Sequence, residues 1–360
     1  MRLSTIEWTL LLLLAAVKLV ASQALPQLTP RQLAVNQLVN ASRILAQQTI
    51  ADDSPGHISI RDPLAPNLAF LITAGTHPAA QITPADIAVA RINDSIVTSA
   101  ALSGYPAPAR PAEIFLHSSI YQRFPNTTVA SIAFYRPEQL LPYTMFPDKS
   151  SNASAADATV SDMTSLYAAT SGAAFMGGYA APVFDAFDAE PATITPSVDN
   201  VVKGFALAQK FGPANARAGS VNETDGFRPL VLMRNDGATV VGTSVPETVF
   251  RFVNAVKSAR VQWQASAMAF GNGSRPLFLP NAAAKANDAY LRSWLLWMTQ
   301  IEDSIRADEA RSPELWETDD ANSTTGDGGG SLASGAVATL LARPQTVPIA
   351  TAAILLATLL

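Results

Sequence analysis

Apolar positions are unevenly spread along this chain, and their spacing changes from segment to segment. Residues 1–24 open with Arg2, then carry an apolar run from Leu10 to Val17 that Lys18 interrupts and Leu19-Val20-Ala21 resumes. Small residues at Ser22 and Ala24, or at Val20 and Ser22, supply the cleavage-site spacing of a secretory signal. The run is too short to cross ~30 Å of hydrocarbon. At the other end, 347–360 is uncharged and mostly apolar. Residues 337–346 separate it from the small triplet Ser334-Gly335-Ala336. Small site, spacer and terminal apolar tail is the pattern of a GPI-attachment signal, with Ser334 as the expected attachment point and Gly330 and Ser331 as alternatives; the other reading of 335–360 is a plain apolar tail.

Between the ends the pattern alternates between helical and strand spacing. Thr29-Pro30 places a cap and a first-turn proline ahead of a stripe made by Leu33, Leu38, Ile44 and Leu45, so a helix is expected to about Ile50. Segments 57–62 and 68–73 read as a hairpin. Thr83-Pro84-Ala85-Asp86 reads as a capped turn before the strand IAVARI. Pro106, Pro108 and Pro111 punctuate the chain ahead of a helix at 112–124, and VASIAF is strand-like. Residues 147–170 are expected to be an exposed loop, and 197–211 a helix. RPLVLM and ATVVGT form two strands around the turn Arg234-Asn235-Asp236-Gly237. Ser244, with Glu247 three residues on, opens a long helix to about 268. A further helix is expected over 281–308, then a low-complexity linker over 312–334. Hairpins outnumber crossovers, so the expected class is α/β: a mostly antiparallel central sheet between helical layers.

Composition narrows the chemistry. The 360 residues include 24 Lys+Arg and 29 Asp+Glu, a net charge of -5, which gives no footing for nucleic acid. Charged residues are 15%, against ~25% in an average soluble domain. There is no Cys, which removes disulfides, Cys zinc sites and Cys nucleophiles. Only His57, His77 and His117 supply imidazoles. Glycosylation sequons stand at Asn40, Asn93, Asn126, Asn152, Asn222, Asn272 and Asn322, in keeping with a secreted glycoprotein. No P-loop, Rossmann glycine motif or serine elbow appears. Trp294, Leu296 and Trp297 at helical spacing read as packing.

Several segments, in order, resemble the class II aldolase/adducin family, its decarboxylase-like branch in particular. They are GHISIRDP at 56–63, AEIFLHSSIYQRFP at 112–125, VASIAFYRPEQLLPY at 129–143, GAAFMGGYAAPVFD at 172–185, VLMRNDGATVVGTSVPETVF at 231–250 and NDAYLRSWLLWMTQIED at 287–303. The resemblance spans about 30–305, so the expected organisation is a signal at 1–24, the aldolase-like domain at 25–311, the linker, and the tail at 335–360. It implies a three-layer α-β-α fold, often tetrameric. It also implies a divalent metal, usually zinc, held by three His and sometimes a Glu, which polarises an oxygen during carbon–carbon cleavage or decarboxylation.

The metal positions are where this chain departs. Aligned on Pro137, the family's two strand His fall at Ala133 and Tyr135, and the third at Asp236; the helix Glu is kept as Glu113. Ala cannot ligate, and neutral Tyr is a poor ligand because its reference pKa is ~10. A three-His zinc site is therefore not expected, and no cofactor is called for. Glu113, His117, Asp236 and Tyr135 remain as an oxygen-rich set better suited to a harder ion. Strand alternation puts Arg136 on the face opposite Tyr135. On the substrate side, Pro111-Ala112 replaces the two Ser that precede the Glu in phosphosugar aldolases, leaving Ser59 and Arg61 as candidate anion contacts. His77 is expected to be exposed.

Two readings follow. In the first, this is a secreted, GPI-anchored, non-catalytic aldolase-fold module that binds a small molecule or a cell-surface partner. In the second, Glu113 and Tyr135 form a remodelled acid/base pair of a lyase or decarboxylase acting on a small hydroxy or keto acid.

Overall fold

The structure, a computed structural model, describes residues 28–51, 56–145, 165–215, 226–272, 276–280 and 290–313. The expected signal, the linker beyond residue 313, Ser334 and the apolar tail lie outside the described residues, as do Asn152, Asn222, Asn322 and the side chain of Asn272. Among the described residues, no helix is long and apolar enough to cross a membrane.

The chain opens with α1 (Pro30–Gln47), then β1 (His57–Arg61), β2 (Ala69–Thr73), β3 (Ile87–Arg91) and β4 (Val97–Ala100). Next come α2 (Ile114–Arg123), β5 (Ser131–Tyr135), β6 (Val183–Phe184), α3 (Ala186–Ala189) and α4 (Val201–Lys210). It closes with β7 (Leu230–Met233), β8 (Gly237–Gly242), α5 (Val245–Asn272) and α6 (Tyr290–Arg311). The strands form an eight-stranded sheet in the order β4-β3-β2-β1-β5-β8-β7-β6. Every pairing is antiparallel except β6 with β7. The expected α/β class with a mostly antiparallel sheet is the observed one.

Strands β2, β5, β7 and β8 are buried at every position. That follows from helices on both faces: a doubly covered strand has no polar side, so it reads as a continuous apolar run. Edge strand β4 instead has exposed positions, Thr98 and Ser99 among them. On one face α2 and α4 pack together over Phe70, Ile72, Ile132, Phe134, Val231 and Met233. Gly204 lets the two helices approach: a Cβ there would stand 2.4 Å from Ser119 Oγ. On the other face lie α1 and α5, with α6 against both. Leu38 and Ile44 of α1 are fully buried, each contributing ~1.5–3 kcal/mol. Trp297, Ile301 and Ile305 form the buried stripe of α6; Trp294 is half-buried and Leu296 exposed.

Loops are fastened by arginines that donate to backbone carbonyls. Arg61 reaches Val129 O, Pro66 O, Tyr121 O and Phe124 O. Arg123 donates to Gly212 O, Arg43 to Ile82 O and Arg251 to Val241 O. The Thr83 turn is a full capping box. At the start of α5 the Glu247 carboxylate accepts from Thr243 N at 2.7 Å, and Ser244 Oγ accepts from Glu247 N at 3.3 Å. One expectation needs correction. Leu166, Tyr167 and Ala168, read from composition as part of an exposed loop, are buried. Gln262 and Ser258 of α5 tie down the backbone of this segment at Tyr167 and Ala169.

Candidate functional site

Four polar side chains meet at one end of the sheet. His57 begins β1, Arg136 directly follows β5, Asp236 sits in the β7–β8 turn, and Glu113 is the residue ahead of α2. The register explains the meeting. His57 pairs with Phe134 and Tyr135 with Ala238, so the start of β1, the end of β5 and the start of β8 share one edge. The turn carrying Asp236 depends on Gly237, whose φ is +115° and whose Cβ would lie 2.3 Å from Tyr135 O. Asn235, also at positive φ, donates its N–H to Thr144 Oγ1 at 3.1 Å.

Arg136 is the hub. Its Nη2 donates to Glu113 Oε1 and its Nε to Asp236 Oδ1, each at 2.7 Å. Its guanidinium carbon lies 4.5 Å from the centre of the Phe134 ring. His57 Nε2 stands 3.3 Å from Glu113 Oε2. Side-chain exposure is 9% for Glu113, 5% for Asp236 and 18% for Arg136, so solvent reaches the guanidinium more than the acids. Burial pushes the Glu113 carboxyl up, but hydrogen bonds from His57 and Arg136 outweigh it and hold the group at about 2. Asp236 moves the other way. Burial raises it, Glu113 adds to the rise, and the pull of Arg136 does not cancel them. The difference has a structural cause: Asp236 Oδ2 is buried without a hydrogen-bond partner, whereas both Glu113 oxygens are engaged. Arg136 itself is held firmly protonated: burial alone would lower it, but Asp236 and Glu113 raise it.

The remaining sequence candidates lie elsewhere. Phe134, whose ring underlies Arg136, belongs to the core on the α2 face, so Phe134 and Arg136 are the β5-end positions facing Glu113. Tyr135 points to the other face, edge-on to Phe252 of α5 at 5.9 Å, and burial pushes its hydroxyl up. The structure therefore corrects the pairing of Tyr135 with Glu113 and removes Ala133 and Tyr135 from the face of the candidate site. Aligning on Pro137 selected the wrong alternate residues of the strand.

Ser59 is also corrected as a substrate contact. It is fully buried, with its hydroxyl 2.8 Å from both His117 Nδ1 and Tyr121 OH. Arg61 spends its donors on the carbonyls named above, and Asp62 pairs with Arg31 rather than with Arg61. His117 stacks on Phe70, and burial holds its imidazole well below the usual range, so it is neutral at physiological pH. His77 is half exposed and lies 2.7 Å from Asp86.

Sequence reasoning missed Arg136 and His57. The signal for Arg136 was present in the alternation that set it apart from Tyr135. His57 had none, because its contact with Glu113 spans 56 positions.

The donors here do not fit the three-His ion of the resemblance. The two strand positions that face Glu113 are Phe134, which has no donor, and Arg136, which is itself a cation. A divalent ion between Glu113 and Asp236 would have to displace the guanidinium that already bridges them. Among the described residues, no group of three His, Asp or Glu side chains is arranged to hold an ion.

Comparison with known proteins places this fold in a family. The model of the Class II Aldolase and Adducin N-terminal domain matches residues 36–263, and the chain belongs to that family. It is 26% identical over 286 residues to the decarboxylase tropJ of Talaromyces stipitatus, covering 76% of this chain and 96% of that one. Among solved structures it resembles an aldolase II superfamily protein from Pseudomonas syringae, with TM-score 0.53, 18% identity, and 77% and 96% of the two chains covered. An L-fuculose 1-phosphate aldolase from Glaciozyma antarctica PI12 superposes with TM-score 0.48 at 16% identity, covering 81% of this chain and 96% of that one.

Proposed function

We propose that this chain is a class II aldolase-fold binding module of the secretory route, in which an arginine occupies the place its family gives to a metal ion. The observation that carries the reading is the Arg136 bridge between Glu113 and Asp236. A guanidinium there neutralises the acids and fixes them in place. It offers no open coordination position at which a substrate oxygen is polarised. The ligand is a small molecule or a cell-surface partner, approaching over the part-exposed guanidinium. Entry to the secretory route is supported by the N-terminal pattern and by the exposed sequon residues Asn93 and Asn126. Asn40, half-buried within α1, is a poorer acceptor. Attachment at Ser334 would hold the domain at the plasma membrane, and association as a homo-oligomer follows the family's habit.

The test is metal analysis of protein purified at neutral pH without chelator. Less than a tenth of an equivalent of zinc is expected, and a stoichiometric ion would overturn the reading. Release from cells by a phosphatidylinositol-specific phospholipase, and a mass shift on N-glycan removal, check the route and the anchor.

A second reading is favoured by the setting of Asp236 and by one relative. Asp236 has a raised carboxyl and an unpartnered oxygen beside Arg136, and the chain is similar to a decarboxylase over nearly all of that protein. In this reading Arg136 orients a keto-acid carboxylate and Asp236 returns a proton to the carbanion. Carbon dioxide release that survives chelation and is lost in Asp236→Asn would favour it over the binding module.

A further inference from the structure

Away from the site, at the opposite end of β7 from Asp236, lies Arg228. It is only 5% exposed. Its Nε and Nη1 are buried with no hydrogen-bond partner, and no carboxylate pairs with it among the described residues. This sets it apart from Arg43, Arg61, Arg136 and Arg251, each of which has oxygens to donate to. The Tyr179 ring lies 4.5 Å from its guanidinium carbon. That contact offsets part of the desolvation of the cation but supplies no negative charge. Burial pulls the guanidinium below its ordinary value. Even so, such a group stays charged in a protein.

Arg228 lines a half-open pocket of about 10 Å³ together with Met176, Ala180, Ala181, Pro182, Pro229 and Leu230. Among the described residues it contributes the only polar side chain to that wall. A lone buried cation in an apolar wall is costly, and a neutral water would leave its charge uncompensated. The volume suits an occupant of about the size of a water molecule, too small for a carboxylate or phosphate group. We propose that Arg228 and the apolar pocket around it form a binding site for a single halide-sized anion, chloride in physiological solution, which completes the fold between β7 and the 176–182 segment. Nε–H and Nη1–H lie on opposite edges of the guanidinium plane, so the ion would accept from one of these two unpartnered donors. The low-dielectric wall would strengthen that attraction over its value in water.

The experiment compares thermal unfolding of the intact protein in sodium chloride and sodium gluconate at equal ionic strength. The expected result is a saturable stabilisation by chloride alone. At a chloride concentration 100 times its dissociation constant, the folded-to-unfolded ratio would rise roughly 100-fold. Arg228→Gln should abolish the difference between the two salts. Identical unfolding of the wild type in both salts, or a full chloride effect retained in Arg228→Gln, would overturn the proposal. Should the variant fail to fold, crystals of the wild type soaked in sodium bromide decide the matter. An anomalous peak in contact with Nε or Nη1 supports the site, and a water, a side chain of another copy, or no density at either refutes it.

Discussion

Replacing Arg136 with Met tests the central electrostatic argument. The substitution keeps much of the aliphatic stem, and with it the packing on Phe134, but removes two charge-assisted bonds of 2.7 Å. It leaves Glu113 and Asp236 as neighbouring buried acids. Removing one member of a buried ion pair costs about 3–5 kcal/mol, because the partner's desolvation is then uncompensated. Arg136 is 18% exposed, so some water can replace it and the lower end, about 3 kcal/mol, is the expectation. In a domain of this size that is a fall in Tm of about 6–12 °C. The sign of the pH dependence follows. Without the guanidinium both acids rise in pKa and bind protons in the folded state, so the deficit is largest near neutrality. It shrinks as pH falls toward ~4 and the acids neutralise. Urea unfolding of wild type and variant at pH 7 and pH 4.5 measures both effects. Adding Glu113→Gln to Arg136→Met should recover part of the loss, since one stranded charge is gone. A deficit below about 1 kcal/mol, or one that does not change with pH, would refute the bridge as a structural element.

Three further outcomes are expected. Glu113 has a folded-state value of about 2 against an ordinary 4.5, so its charge stabilises the fold fully above ~4.5 and the contribution is lost as pH falls through about 2. Glu113→Gln should flatten that acid limb by an amount on the order of 2–3 kcal/mol, read from urea midpoints at pH 5 and pH 2.5. Gly237→Ala places a Cβ 2.3 Å from Tyr135 O at a φ of +115°, and should cost at least about 2 kcal/mol in chemical unfolding. Arg61→Lys cannot satisfy the four carbonyls that Arg61 serves. It should lower stability by about 2–3 kcal/mol, whereas a purely ligand-binding arginine would leave the urea midpoint unchanged.

Most of the scaffold could be read from local signals. The 57–73 hairpin, the strands around Arg234–Gly237 and the Ser244 start of α5 each carry their own turn or cap chemistry, and they appear where that chemistry puts them. Strand β4 could not be read, because half of its VTSA sequence is polar at an exposed edge. Strand β6 has two residues, too few for any periodicity. Glu113 and Asp236 were legible as candidates, because their positions survive within recognisable segments. Their partner was not. Which alternate residues of β5 face α2 is set by the sheet's register, not by the strand's own sequence. Counting from Pro137 chose the opposite parity, placing Tyr135 where Arg136 belongs. His57 was hidden by distance along the chain, and the Ser59–His117–Tyr121 cluster by the same cause.

The arginine-to-carbonyl fastenings have a consequence for how the domain tolerates its surroundings. They join segments as far apart in sequence as Arg123 and Gly212, or Arg61 and Val129, which is the span that cross-linked cystines bridge in many exported proteins. Because the chain has no Cys, thiol reductants and oxidants leave these ties untouched, and the domain needs no oxidative folding machinery to set them. Their weakness is of another kind. Dissolved guanidinium competes for the same carbonyl oxygens, so guanidinium chloride should loosen these loops in a way that dithiothreitol does not.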